Sequence, residues 1–220
     1  MLRSATDLTG YLILATDGEA GRVEECYFDD EQWVLRYIVV HTQGWLLGRS
    51  VLIPPFNIAA IDWKAQSIKL NLSRLKIENS PGPEIYPPVA SRLEADYFQY
   101  FSWPYYWTGM GAWGAAVPDV VMSPHSDELR HIDFLAAHLR SSREILGYQI
   151  EWVDSKKGHV VDLLIDDENW SIPFLLVRPG AFKKAVRVPS QAVDFIDWTH
   201  RRIHCHLTHK ELGEFKKRAA

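Results

Sequence analysis

A mainly β chain made of two small antiparallel β-barrels is the architecture this sequence predicts, and three observations predict it. The first is an internal repeat. Leu2-Arg3-Ser4 recurs as Leu139-Arg140-Ser141, Gly10-Tyr11 as Gly147-Tyr148, and Asp29-Asp30-Glu31-x-Trp33 as Asp166-Asp167-Glu168-x-Trp170, all at an offset of 137 residues. Residues 2–40 give 14 identities in 39 positions at that offset. After a two-residue gap at 41–50 the offset becomes 135, with Val51/Val186, Pro54/Pro189, Ile61-Asp62-Trp63/Ile196-Asp197-Trp198, Ile68/Ile203 and Leu72/Leu207. Register held over such a length marks a duplicated unit, and the period is too long for a solenoid. The second observation is strand-type patterning inside each copy. The third is composition: 47% hydrophobic and 24% charged residues suit a packed globular core, while two cysteines among 220 residues exclude a disulfide scaffold.

The elements follow in order. Val23, Tyr27-Phe28 and Trp33–Val40 are rich in β-branched and aromatic residues, and Asp29–Gln32 between them is a polar turn, so the stretch reads as a hairpin. Ile68, Leu70 and Leu72 alternate with Lys69 and Asn71, the period of a half-buried strand, and the second copy keeps this as Ile203, Cys205 and Leu207. Five short strands per copy suggest a small barrel, whose closure would remove the exposed edges. Each copy then ends in a short helix; Thr208-His209-Lys210-Glu211 has the capping-box pattern.

The predicted domains are residues 1–79, a connector over 80–138, and residues 139–220 with a basic C-terminal helix or tail. The connector opens with Pro81, Pro83, Pro87 and Pro88, and nine of the 27 aromatic residues fall within 97–113. Residues 128–139 have helical spacing and lead into the second copy.

Each copy resembles a PRC-barrel domain, the small barrel of the photosynthetic reaction centre H subunit's cytoplasmic part and of a ribosome-maturation factor family. The resemblance rests on Leu8-x-Gly10-Tyr11, Asp17-Gly18-x-x-Gly21-x-Val23, Phe28-x-Asp30, Tyr37-x-Val39-Val40 and Val51-x-Ile53-Pro54, with Gly147-Tyr148, Gly158-x-Val160 and Ile165-x-Asp167 in the second copy. It implies tandem barrels that bind or assemble with other proteins, without catalytic residues and without a cofactor. The second copy departs from the pattern at Asp154-Ser155, and its 178–187 loop is basic where the first copy has Gly44–Arg49.

Candidate sites follow from residue chemistry. Tyr97, Tyr100, Trp103, Tyr105, Tyr106, Trp107 and Trp113, with Trp45, are the candidate interaction residues. They either strap the two barrels together, within one chain or across a homodimer, or present a partner surface, since Tyr and Trp dominate interface hot spots. The acidic turns Asp29-Asp30-Glu31 and Asp166-Asp167-Glu168 invite a hard cation, but lack the ligand alternation of a calcium loop, and a hairpin turn explains them as well. His200, His204, His206 and His209 form the densest histidine cluster; the repeat aligns His204 and His206 with Lys69 and Asn71, on a solvated strand face, and no Cys-x-x-Cys completes a zinc site. Cys26 and Cys205 align with Leu163 and Leu70 and read as core thiols. No metal site is therefore assigned.

Net charge is −4 overall, which argues against DNA binding and disfavours RNA or ribosome contact. The C-terminal part is the basic one, with 13 Lys+Arg against 11 Asp+Glu over 141–220. No phosphate loop, nucleophile elbow or acid–base pair is recognisable, so the expected protein is not an enzyme. No apolar run is long enough to span a membrane, which leaves peripheral contact as the only membrane reading and a cytoplasmic location as the expectation. The function expected is a non-catalytic, self-associating interaction module; the alternatives are a ligand- or metal-binding regulatory domain and a ribosome-associated factor.

Overall fold

The computed structural model describes residues 1–42, 48–79, 138–154, 156–180, 184–208 and 211. They form two compact units. The N-unit comprises Leu8–Ser141, and the C-unit comprises Met1–Asp7 together with Ser142–Ala220. The units are thus not successive halves of the chain.

The N-unit holds a seven-stranded sheet. Its strands are β2 (Leu12–Ala15), β3 (Gly18–Asp29), β4 (Val34–His41), β5 (Ser50–Ile53), β6 (Ile58–Asp62), β7 (Ser67–Leu70) and β8 (Leu139–Ser141). The order is β5-β4-β3-β2-β7-β6, with β8 added beside β3. Among its described strands only β2 and β7 run parallel. The predicted hairpin is β3–β4. Val34–Val40 is buried at every position, as expected for a strand covered on both faces. Phe28, Tyr37, Ile13, Ile53 and Ile68 fill the core around it. A short helix, α2 (Arg74–Glu78), closes the repeat; the Ser73 hydroxyl accepts from the Lys76 amide and caps it.

The C-unit repeats the plan. It contains β1 (Leu2–Ser4), β9 (Gln149–Glu151), β10 (Lys157–Asp166), β11 (Phe174–Arg178), β12 (Val186–Pro189), β13 (Val193–Asp197) and β14 (Arg202–Cys205). Their order is β12-β11-β10-β9-β14-β13, with β1 beside β10. Registers match the N-unit along most of the ladders, although β3 bulges at Ala20 against β2 and β4 at Arg36 against β3, two irregularities without a counterpart in the C-unit pairings. Val23↔Val40 corresponds to Val160↔Val177, and each of the long strands β3 and β10 then has one bulged residue, Glu24 and Val161. Trp63 meets Tyr11 edge-on at 5.9 Å, as Trp198 meets Tyr148 at 5.4 Å. The capping box predicted at the end of this copy forms: the Thr208 hydroxyl and amide both donate to Glu211 Oε2, at 2.7 and 2.8 Å.

Two expectations change. Each sheet runs as an open path, and no ladder joins its ends, β5 and β6 or β12 and β13, among the described residues. Prolines stand where closure would need donors: Pro54 and Pro55 follow β5, and Pro189 ends β12. The helix expected over 128–139 gives way at its end to strand, because Leu139 begins β8; its earlier part lies outside the described residues.

Candidate functional site

The long strand of each unit explains the site. One edge of β3 is covered by β4 along Arg22–Asp29. The other edge is covered by β2 only as far as Arg22, and beyond the bulge Tyr27–Asp29 pairs with β8. In the C-unit β9 covers Lys157–His159, and Leu164–Asp166 pairs with β1. Each sheet therefore completes itself with the first strand of the other repeat: Leu2–Ser4 lies on β10, and Leu139–Ser141 lies on β3. The chain passes between units within helix α1 (Ala5–Leu8) and again at Ser141/Ser142.

Side chains read the added strand at matched positions. In the C-unit the Arg3 guanidinium donates through Nε to Asp167 Oδ2 at 2.9 Å, and the Ser4 hydroxyl donates to Asp162. In the N-unit Arg140 Nε faces Asp30 Oδ2 at 3.4 Å, and the Ser141 hydroxyl donates to Glu25. All four pairs obey the 137-residue offset. So does the position before the strand: the Met1 ammonium donates to Asp167 Oδ1 at 2.6 Å, where His138 Nδ1 meets Asp30 Oδ1 at 2.9 Å. Main-chain bonds agree, Asp167 N to Met1 O and Asp30 N to His138 O, both at 3.0 Å.

The two acids of each slot have distinct local origins. Asp30 and Asp167 come from the acidic hairpin turns, where the preceding Asp29 and Asp166 are engaged in holding the turn. Asp29 Oδ1 accepts the amides of Glu31 and Gln32 at 3.0 and 2.8 Å, and Asp166 Oδ1 accepts that of Glu168 at 3.0 Å. Glu25 and Asp162 are the first residues after the bulge, a device that bends a strand and re-aims its side chains. Asp162 is mostly buried and also accepts from the Thr6 amide and hydroxyl at 3.1 and 2.9 Å. Burial raises the Asp167 carboxyl, but the hydrogen bonds from the Met1 ammonium and from Arg3 outweigh it and hold its pKa below the ordinary 3.8.

The sequence candidates distribute as follows. Trp45, Tyr97, Tyr100, Trp103, Tyr105, Tyr106, Trp107 and Trp113 all lie outside the described residues. The acidic turns are hairpin turns whose middle acids face the added strand. His200 belongs to a turn, with its amide and ring bonded to Asp197 at 2.9 and 2.7 Å; those bonds, the backbone one first, lower the Asp197 pKa. His206 pairs with Asp194 at 3.0 Å, and His204 stacks on Phe195 with ring centroids 4.3 Å apart. The histidines thus have separate partners, and His209 lies outside the described residues. No group of three His, Cys, Asp or Glu side chains able to hold a metal occurs among the described residues. Cys26 and Cys205 are buried in the core and form no disulfide with each other, and burial pushes the Cys205 pKa up to about 12. No helix among the described residues is long and apolar enough to cross a membrane.

Sequence reasoning missed the strand slots, although a signal was present: Arg and Ser of one segment repeat at the same offset as the acids that receive them. The chain matches no family model and no curated protein.

Proposed function

We propose that this chain is a non-catalytic protein-interaction and assembly module, a duplicated pair of PRC-like open-sheet units that self-associates through the aromatic segment 97–113. The observation that supports this reading is the pair of strand slots. In both units the second half of the long strand's edge accepts an extended segment through main-chain pairing, with polar side chains setting the register. This is the chemistry of β-strand addition, in which the backbone supplies affinity and side-chain contacts supply specificity. The acids that could have formed a reaction or cation centre in the turns are instead engaged by the turns and by the added strand.

The test is sedimentation velocity of the wild type over a wide concentration range, beside a variant with Trp103, Tyr105, Tyr106 and Trp107 replaced by Ser. Folding of both is checked by circular dichroism. A concentration-dependent dimer that the folded variant loses is the expected result. Monomeric wild type at every concentration would remove self-association, and a dimer retained by the variant would move the interface away from the aromatics.

A further inference from the structure

We propose that the C-unit slot is a recognition site for an extended apolar-Arg-Ser strand, and that a second copy of this chain can fill it with its own Leu2–Ser4. The inference deepens the assembly reading by naming a site and a partner. Three observations carry it. Strand exchange is already the arrangement of this chain, since both units complete their sheets with the other repeat's strand. The recognition is encoded in the slot and not in one particular donor: Leu-Arg-Ser meets Asp167 and Asp162 in one unit and Asp30 and Glu25 in the other, in the same antiparallel register. The donor is also short, three paired residues. Releasing it breaks a small ladder, so the exchange can pass from within a chain to between chains. Swapping an identical element between protomers is a low-cost route to a closed dimer.

The geometry also explains why the segment is specific. Leu2 opposes Asp166, Arg3 opposes Ile165 and Ser4 opposes Leu164. A one-residue slip would send Arg3 to the opposite face of the sheet, away from Asp167, and leave Asp162 without the Ser4 hydroxyl. A segment with an acid in place of Arg3 would bring like charges together in a slot where Asp167 is only 16% exposed.

The experiment uses full-length chains and charge reversal. One variant carries Arg3→Glu, the other Asp167→Arg, and each alone places like charges across its own slot. Mixed, the strand of each matches the slot of the other, whereas a chain carrying both changes is matched within itself. Native mass spectrometry and sedimentation read the outcome after equimolar mixing, and after joint refolding from urea in case either single variant is unfolded. With the charge changes made in the aromatic Ser background, which removes association through 97–113, the expected result is a one-to-one dimer from the mixture, at least about tenfold more abundant than dimer in either variant alone, and a monomer from the double variant under the same conditions. A mixture no more dimeric than its components, by either route, would overturn the transfer between copies. Single variants whose Leu2–Ser4 amides exchange with solvent no faster than in wild type would overturn the recognition itself. The aromatic Ser variant, carried through the same mixing, separates the two proposals: its pairing tests the strand slot alone, whatever the aromatic segment does.

Discussion

The charge most deeply placed in the described structure is that of Arg36, and removing it has a calculable consequence. Its side chain is 0% exposed, and Nη2 donates to Asp29 Oδ2 at 3.1 Å and to Gln32 Oε1 at 2.6 Å. Asp29 is itself 3% exposed. Arg36→Met keeps much of the volume but strands the Asp29 carboxylate with only the Glu31 and Gln32 amides as donors. Breaking a buried ion pair from one side costs about 3–5 kcal/mol. With a urea slope near 2 kcal/mol per molar, that moves the unfolding midpoint down by about 2 M. Adding Asp29→Asn removes the orphan charge while keeping an acceptor for the turn amides, so most of the loss should return. The other repeat manages without an arginine at this place, since Pro173 aligns with Arg36, but there Asp166 is 30% exposed and lies 3.5 Å from the Met1 ammonium. Urea titration followed by far-ultraviolet circular dichroism, with amide exchange of β3 and β4 to locate the effect, is the assay. A midpoint shift under about 0.5 M for the single variant, or no recovery in the double, would refute the reasoning.

Further expectations follow from backbone, thiol and carboxyl. A Cβ at Gly21, where φ is +142°, would lie 2.2 Å from the His41 carbonyl oxygen, so Gly21→Ala should cost roughly 2–3 kcal/mol in urea titration. Gly158→Ala should also destabilise, with a Cβ 3.0 Å from the Arg178 carbonyl oxygen and 2.8 Å from both the Trp152 ring and Val177, and enlarging that gap with Trp152→Phe should recover part of the loss. Cys205, with its pKa near 12, should resist a thiol reagent at pH 8 until the C-unit unfolds; rapid labelling of the folded chain would contradict its burial. The Asp167 pKa is lowered on folding, so its contribution to stability is complete above the unfolded value and is lost as pH falls through the folded one. Acidification below about pH 4 should therefore lower the protection factors of the Leu2–Ser4 amides, exchange rates being referred to the intrinsic rate at each pH, and Asp167→Asn should flatten that dependence.

Much of the fold was legible because the repeat carried it. The hairpin around Asp29–Gln32 could be read from alternation and turn residues, and the capping box at Thr208 from the Thr/Glu spacing; the Ser73 cap of α2 was not read. Gly21 and Gly158 stood out as a matched pair, but the common cause is the close approach of neighbouring chain in mid-strand, and only Gly21 has a positive φ. Closure was expected because small sheets need their edges covered. The structure covers part of the inner edge with a borrowed strand and leaves proline at the outer strands. The exchange itself was illegible for a definite reason: Leu2-Arg3-Ser4 and Leu139-Arg140-Ser141 are identical, and their slots carry equivalent acids, so local chemistry fits either pairing equally. What separates the pairings is chain connection through α1 and Ser141/Ser142, which no local pattern encodes. The aromatic segment, the strongest compositional signal, falls outside the described residues.

The exchanged arrangement makes damage travel between repeats. In an unexchanged chain, each Leu-Arg-Ser strand would support the sheet of its own repeat. Here Arg140, at the head of the second repeat, is bonded to Asp30 of the first, and Arg3 of the first repeat to Asp167 of the second. Arg140→Ala should therefore loosen the amides of Tyr27–Asp29 and leave β10 protected, while Arg3→Ala should loosen Leu164–Asp166 and leave β3 protected. Both arginines are about a quarter exposed, at 25% and 29%. Each effect should then be of order 1 kcal/mol, enough for roughly a fivefold change in local exchange. Residue-resolved hydrogen exchange reads both strands in one experiment, with each variant serving as the control for the other. The opposite pattern, in which each substitution loosens the long strand of its own repeat, would mean that the strands return home in solution, and the slots would then have no exchange to pass to a second copy.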